Sequence, residues 1–128
     1  MKHTVIFALA GVLMGLLTSL VGLPMMVEYA AWAGIYLLLM VYGLKLDLPT
    51  PVRTIGFAST LAGLLTGSTQ VFLMEQYRAN NPWYASEFET SSAADLSTAF
   101  LGQGIIFGLV CGLIVGALVR WRQSTSQA

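Results

Sequence analysis

The chain has 128 residues, of which 56% are hydrophobic and only 9% charged, and its mean hydropathy is +0.74. Soluble domains carry roughly 25% charged residues, and a soluble chain this short cannot hide so much apolar surface in one core; the composition points to an integral membrane protein solvated by the lipid bilayer. The formal net charge is zero, so no basic field recommends nucleic acid as a partner.

A membrane crossing takes about 20 predominantly apolar residues, and four stretches qualify: 5–22, 26–44, 52–76 and 96–119. The first follows directly on Lys2 and His3. Its apolar run is longer than the core of a secretory signal and no small-x-small cleavage site follows, so it reads as a membrane helix. Gly22-Leu23-Pro24 predicts a tight hairpin into the second span. Between the second and third, Thr50 is placed to cap a helix whose first residue is Pro51. The longest connection, 77–95, ends in Ser92 and Asp95, three apart, a spacing that predicts a capping box at the start of the fourth span.

Basic residues flanking the spans orient them. Lys2, Lys45, Arg53, Arg120 and Arg122 fall on one side of a four-crossing chain and only Arg78 on the other, which predicts both termini in the cytoplasm and the 77–95 connection outside, in a prokaryotic inner membrane. The aromatic residues Trp83, Tyr84, Phe88, Tyr29 and Trp32 are expected at the outer headgroup level and Trp121 at the inner one. The expected architecture is an all-α bundle of four transmembrane helices in one domain.

Glycine recurs every fourth position in the last span, at Gly104, Gly108, Gly112 and Gly116. In water each would cost a helix about 1 kcal/mol relative to alanine. In hydrocarbon the backbone must stay hydrogen-bonded within the segment, and a row of missing Cβ atoms becomes a groove in which another helix approaches closely. Gly11 and Gly15 in the first span, and Gly63 and Gly67 in the third, form shorter rows of the same kind. Counting depth from the inner ends sets Gly11 and Gly15 level with Gly112 and Gly108, and Gly63 and Gly67 opposite Gly108 and Gly104, so the fourth span can pack closely on the first, the third or both. Such rows close a bundle from within, or serve self-association or attachment to another membrane subunit.

Polar residues within the spans cluster toward the outer side: Glu28, Gln70, Glu75 and Gln103 are the most polar. Gln70 and Gln103 lie at similar depth on antiparallel helices, a placement suited to an amide–amide bond. Glu28 and Glu75 either lie close enough to the headgroups to reach water, the favoured reading because ionisable groups in a span mark function mainly when they lie deep, or are candidate ligands for a cation or a proton in a shallow outward-facing pocket.

Enzyme signatures are absent. His3 has no second histidine with which to share a metal, Cys111 is the only cysteine, and no phosphate-cradling loop or nucleophile triad occurs. Met25, Met26 and Met74 carry thioethers that suit Cu(I), but methionine is also an ordinary filler of apolar gaps. Neither metal nor cofactor is expected. The chain reads as a non-enzymatic membrane protein acting by helix association, as an accessory subunit or homo-oligomer. The alternative is a small channel or transporter for an ion or small solute that uses the outward polar cluster.

Overall fold

The computed structural model describes residues 2–126, with side chains from Thr4 onward; the side chains of Lys2 and His3 lie outside the described residues. Six α-helices are present among them: α1 (Lys2–Leu20), α2 (Met25–Lys45), α3 (Pro51–Phe72), α4 (Met74–Asn80), α5 (Ala85–Thr90) and α6 (Ala93–Ser126), with a 3₁₀ turn at Pro82–Tyr84. No strand occurs among the described residues. By length and composition α2 and α6 can each cross a membrane, α3 joins them if it is taken together with α4 across an 87° bend, and Thr4–Leu20 is a shorter apolar helix.

The punctuation of the chain is mostly local chemistry. Gly22 adopts φ +75°, and a Cβ there would also run into the carbonyl of Asn80, so only glycine suits this turn. Pro24 then ends the turn and its carbonyl accepts from the N–H groups of Val27 (2.8 Å) and Glu28 (3.0 Å), starting α2. Pro51 opens α3 with Thr50 in the N-cap position, but the Thr50 hydroxyl faces that of Thr54 (3.4 Å) and caps no backbone N–H. The capping box forms: the Ser92 hydroxyl donates to Asp95 Oδ2 (2.6 Å) and the Asp95 N–H donates back to Ser92 Oγ (3.1 Å).

Two boundaries differ from the sequence reading. The third apolar stretch does not continue as one straight helix to residue 76: it breaks after Phe72, and α4 leaves at 87°. The fourth helix runs past residue 119 to Ser126. The 77–95 connection is not an open loop but α4, the 3₁₀ turn and α5 folded into a roof, whose core is Tyr77, Phe88 and Leu96 packed with Phe100. Tyr77 lies 4.9 Å from Phe100 and 5.9 Å from Phe88 between ring centroids, edge to face. Arg78 pins the roof by donating to the Phe88 carbonyl (3.1 Å) while its guanidinium sits 5.6 Å over the Phe88 ring.

Helix α3 is the centre of the packing. On one side it meets α6 running antiparallel: Gly116 lies against Val52, Gly112 against Gly56 and Ser59, Gly108 against the Ser59 carbonyl, Gly104 against Gly63, and Gly67 against Phe100 and Leu101. Backbones touch along the whole row, which the absence of Cβ atoms permits. The register is one turn away from the pairing expected by depth, since Gly63 meets Gly104 rather than Gly108. The physical reason is that α6 continues beyond the end of its apolar stretch, so Val52 sits beside Gly116 and not beside Val119.

On its other side α3 meets α1, which runs parallel to it. Gly11 lies on the backbone of Ala62 and Gly15 on Thr66 and Thr69. The Thr66 hydroxyl has the Gly11 carbonyl within 2.8 Å and the Ala62 carbonyl of its own helix within 2.9 Å. Helix α2 has no backbone contact of this sort in its N-terminal half among the described residues. It is held by rings, with Trp32 and Tyr36 5.9 and 6.1 Å from Phe107 and Phe7 5.8 Å from Tyr36. Trp32 is therefore buried in the inter-helix core (5% exposed) and is not a headgroup anchor; Phe88 (6% exposed) is likewise turned inward, whereas Trp83 and Trp121 are exposed.

Candidate binding cleft

Because α2 stands off from α3 and α6, a cleft of about 640 Å³ opens between them beneath the roof. Its polar lining brings together Glu28 from α2, Gln70 from α3, Gln103 from α6, and Tyr77, Tyr84 and Glu87 from the roof. The walls are aromatic, with Tyr29, Trp32, Phe100 and Phe107 facing the same space. Two carboxylates thus share one concavity, and among the described residues no lysine or arginine lines it.

Each group reaches the cleft for a local reason. Glu28 stands one turn into α2, on the same face as Trp32 four residues later, and the Trp32 side chain lies beside its carboxylate. Gln103 is one residue before Gly104, which is pressed against Gly63, so its side chain falls at the edge of the contact row and is exposed to the cleft. Glu87 and Tyr84 are delivered by the roof. Burial pushes the Tyr84 phenol above its ordinary pKa, and the nearby Glu28, Tyr29 and Glu87 side chains push it the same way. At neutral pH that phenol stays protonated and able to donate.

Of the four polar residues singled out in the sequence, three line this cleft. Glu75 does not: it falls after the bend, on α4, and is exposed. Gln70 and Gln103 make no amide–amide bond; Gln70 Nε2 instead donates to Thr18 Oγ1 (3.0 Å), because α1 lies alongside that face of α3. The glycines Gly63, Gly67 and Gly104 contribute floor to the cleft where the α3–α6 backbones touch.

Sequence reasoning missed Asn80 and Asn81. Asn81 is 1% exposed, and its Nδ2 lies 2.8 Å from the Thr18 carbonyl and 2.7 Å from the Tyr77 carbonyl. Asn80 Nδ2 donates to the Ser19 carbonyl (2.9 Å). Together they satisfy carbonyls in the last turn of α1 that have no acceptor role within their own helix. The available signal was two adjacent asparagines before a proline at a helix end, which reads equally well as an ordinary turn.

The cleft is closed at its base. Gly43 of α2 meets Ile55 and Val119, side chains that are 1% and 0% exposed. Between that seal and the cleft lie the buried hydroxyls of Tyr36 and Ser59, beside each other. The arrangement is a recess with acidic and aromatic walls, groups that both attract a cation. Among the described residues no group of three or more His, Cys, Asp or Glu side chains is placed to hold a metal ion. Comparison with protein-family models, curated proteins and solved structures gives no match to this chain.

Proposed function

We propose that the protein is a non-enzymatic integral membrane protein of four crossings, with both termini cytoplasmic in a prokaryotic inner membrane, and that its roofed cleft opens outward and binds a small organic cation. The alternating directions of α1, α2, α3 and α6 support four crossings, as does the collection of Lys45, Arg53, Arg120 and Arg122 at the end away from the roof. Thr4–Leu20 has 17 residues, about 26 Å of helix, close to the hydrocarbon thickness. The observation that carries the ligand class is the pairing of Glu28 and Glu87 with aromatic walls and no basic lining. An ammonium with alkyl substituents satisfies both features, since it is attracted by the carboxylates and by ring faces.

Titration of the purified protein with tetraethylammonium, read by Trp32 fluorescence in a Trp83→Phe, Trp121→Phe background, is expected to saturate. Glu28→Gln should raise the Kd about tenfold or more, a loss of about 1.4 kcal/mol, while Glu75→Gln leaves it unchanged. A linear response, or equal affinity in Glu28→Gln, rules the reading out.

A second reading, association with another membrane subunit or a second copy, draws on the thin attachment of α2, where Leu37 and Leu38 are 59% and 72% exposed. The particle mass in mild detergent tests it: a mass above that of one chain supports association, and a single chain removes it.

A further inference from the structure

At the other end of the molecule lies a groove of about 930 Å³ that shares no residue with the cleft. Its mouth is polar, with Arg53 at the start of α3, Arg120 and Gln123 near the end of α6, and Thr50 and Asp47 in the α2–α3 connection. Its depth is apolar, floored by Gly56 and walled by Phe57, Leu109 and Leu113. From Arg120 back to Leu109 is eleven residues, about 16 Å along the helix axis. The groove is therefore long, charged at one end and greasy along the rest.

Neither guanidinium is used by the fold. Arg53 and Arg120 are exposed and make no hydrogen bond or ion pair among the described residues, with Asp47 included. Gln123 Nε2 is buried and has no hydrogen-bond acceptor among the described residues. Two arginines with free donors, and an amide donor beside them, match the oxygens of a phosphodiester. The floor at Gly56 is open, since a Cβ there would meet only the tip of Leu113, at 3.4 Å.

We propose that this groove is a binding site for an anionic phospholipid, with the headgroup phosphate held between Arg53 and Arg120 and one acyl chain lying along Gly56, Leu109 and Leu113. The site rests on the reading of the chain as membrane-embedded, and not on what the opposite cleft binds. A free phosphate would use the mouth alone and gain nothing from the apolar length. A zwitterionic lipid would bring its own cation against the two arginines. The positions suit the cytoplasmic leaflet, where anionic headgroups meet basic pockets between helices.

The test offers purified protein an equimolar mixture of phosphatidylglycerol and phosphatidylcholine with identical chains and counts bound lipid by native mass spectrometry. Wild type is expected to retain phosphatidylglycerol with about tenfold preference, and Arg53→Gln/Arg120→Gln to lose that preference. Arg122→Gln, outside the groove, should keep it. Gly56→Leu fills the floor with both arginines intact and should also lose the lipid.

Three results overturn the proposal: an unchanged preference in the double arginine variant, an equal loss in Arg122→Gln, or displacement of the lipid by glycerol phosphate as readily as by phosphatidylglycerol. Carbonate washing of membranes keeps the two readings apart. Release of the protein overturns the membrane reading, whereas a retained protein with no lipid preference overturns the lipid site alone.

Discussion

Gly108→Leu is expected to abolish the folded, monodisperse state of the protein in detergent, while Leu109→Ala leaves it intact. A Cβ on Gly108 would run into the Ser59 carbonyl, with Thr60 Cα only 3.0 Å away. Both obstacles are backbone of the central helix, so neither can swing aside as a flexible side chain would. Ordinary overpacking costs about 1–3 kcal/mol, and separating two backbones over several turns exceeds that range because neighbouring contacts at Gly104 and Gly112 open together. Leu109 is 43% exposed and loses little on truncation. Gly102→Leu and Gly34→Leu make sharper controls, since a Cβ at either glycine meets nothing within 4 Å. Size-exclusion profiles and thermal melts followed by circular dichroism check this. Equal melting of Gly108→Leu and Gly102→Leu would mean that the α3–α6 contact is not what holds the fold.

Asn80→Ala/Asn81→Ala should be the most damaging change outside the helix contacts. The two amides supply the Thr18 and Ser19 carbonyls at the end of α1 with donors, and Asn81 also supplies Tyr77. Stranding a buried acceptor costs about 1–3 kcal/mol, so the double variant is expected to lose several kcal/mol and to loosen the roof first. Proteolysis within 81–92 should accelerate well before α3 and α6 come apart. A double variant that melts like wild type and resists protease would show that water serves those carbonyls equally well.

The contrast between these two predictions marks what a single sequence discloses. The glycine rows announce close helix contact, and Gly22, Pro51 and the Ser92/Asp95 box announce their turns, because each signal depends only on residues within a few positions of itself. The break after Phe72 gives no such notice: FLMEQ contains neither proline nor glycine. What holds α4 at its angle is distant in the chain, namely the asparagine bonds to α1 and the seating of Tyr77 under Phe100. Helix adjacency was equally hidden. Gln70 finds Thr18 and not Gln103 only because α1 and α3 are neighbours. Trp32 and Phe88 look like headgroup anchors until their packing partners Phe107 and Tyr77 are known. The cleft was legible in part: Glu28, Gln70 and Gln103 were recognisable as its polar groups, but Tyr84 and Glu87 depend on a roof that the connection did not announce, and the bend removes Glu75.

The order of helices along the chain differs from the order in which they grip one another. Helix α1 makes its backbone contacts with α3, while α2, which is synthesised between them, is tied to α1 by little more than Phe7 against Tyr36. A nascent chain that has emerged only as far as Lys45 therefore holds two helices with almost nothing to say to each other. Assembly waits on the arrival of the third, and α1 stays without its packing partner until the ribosome has delivered Ala62, Thr66 and Thr69.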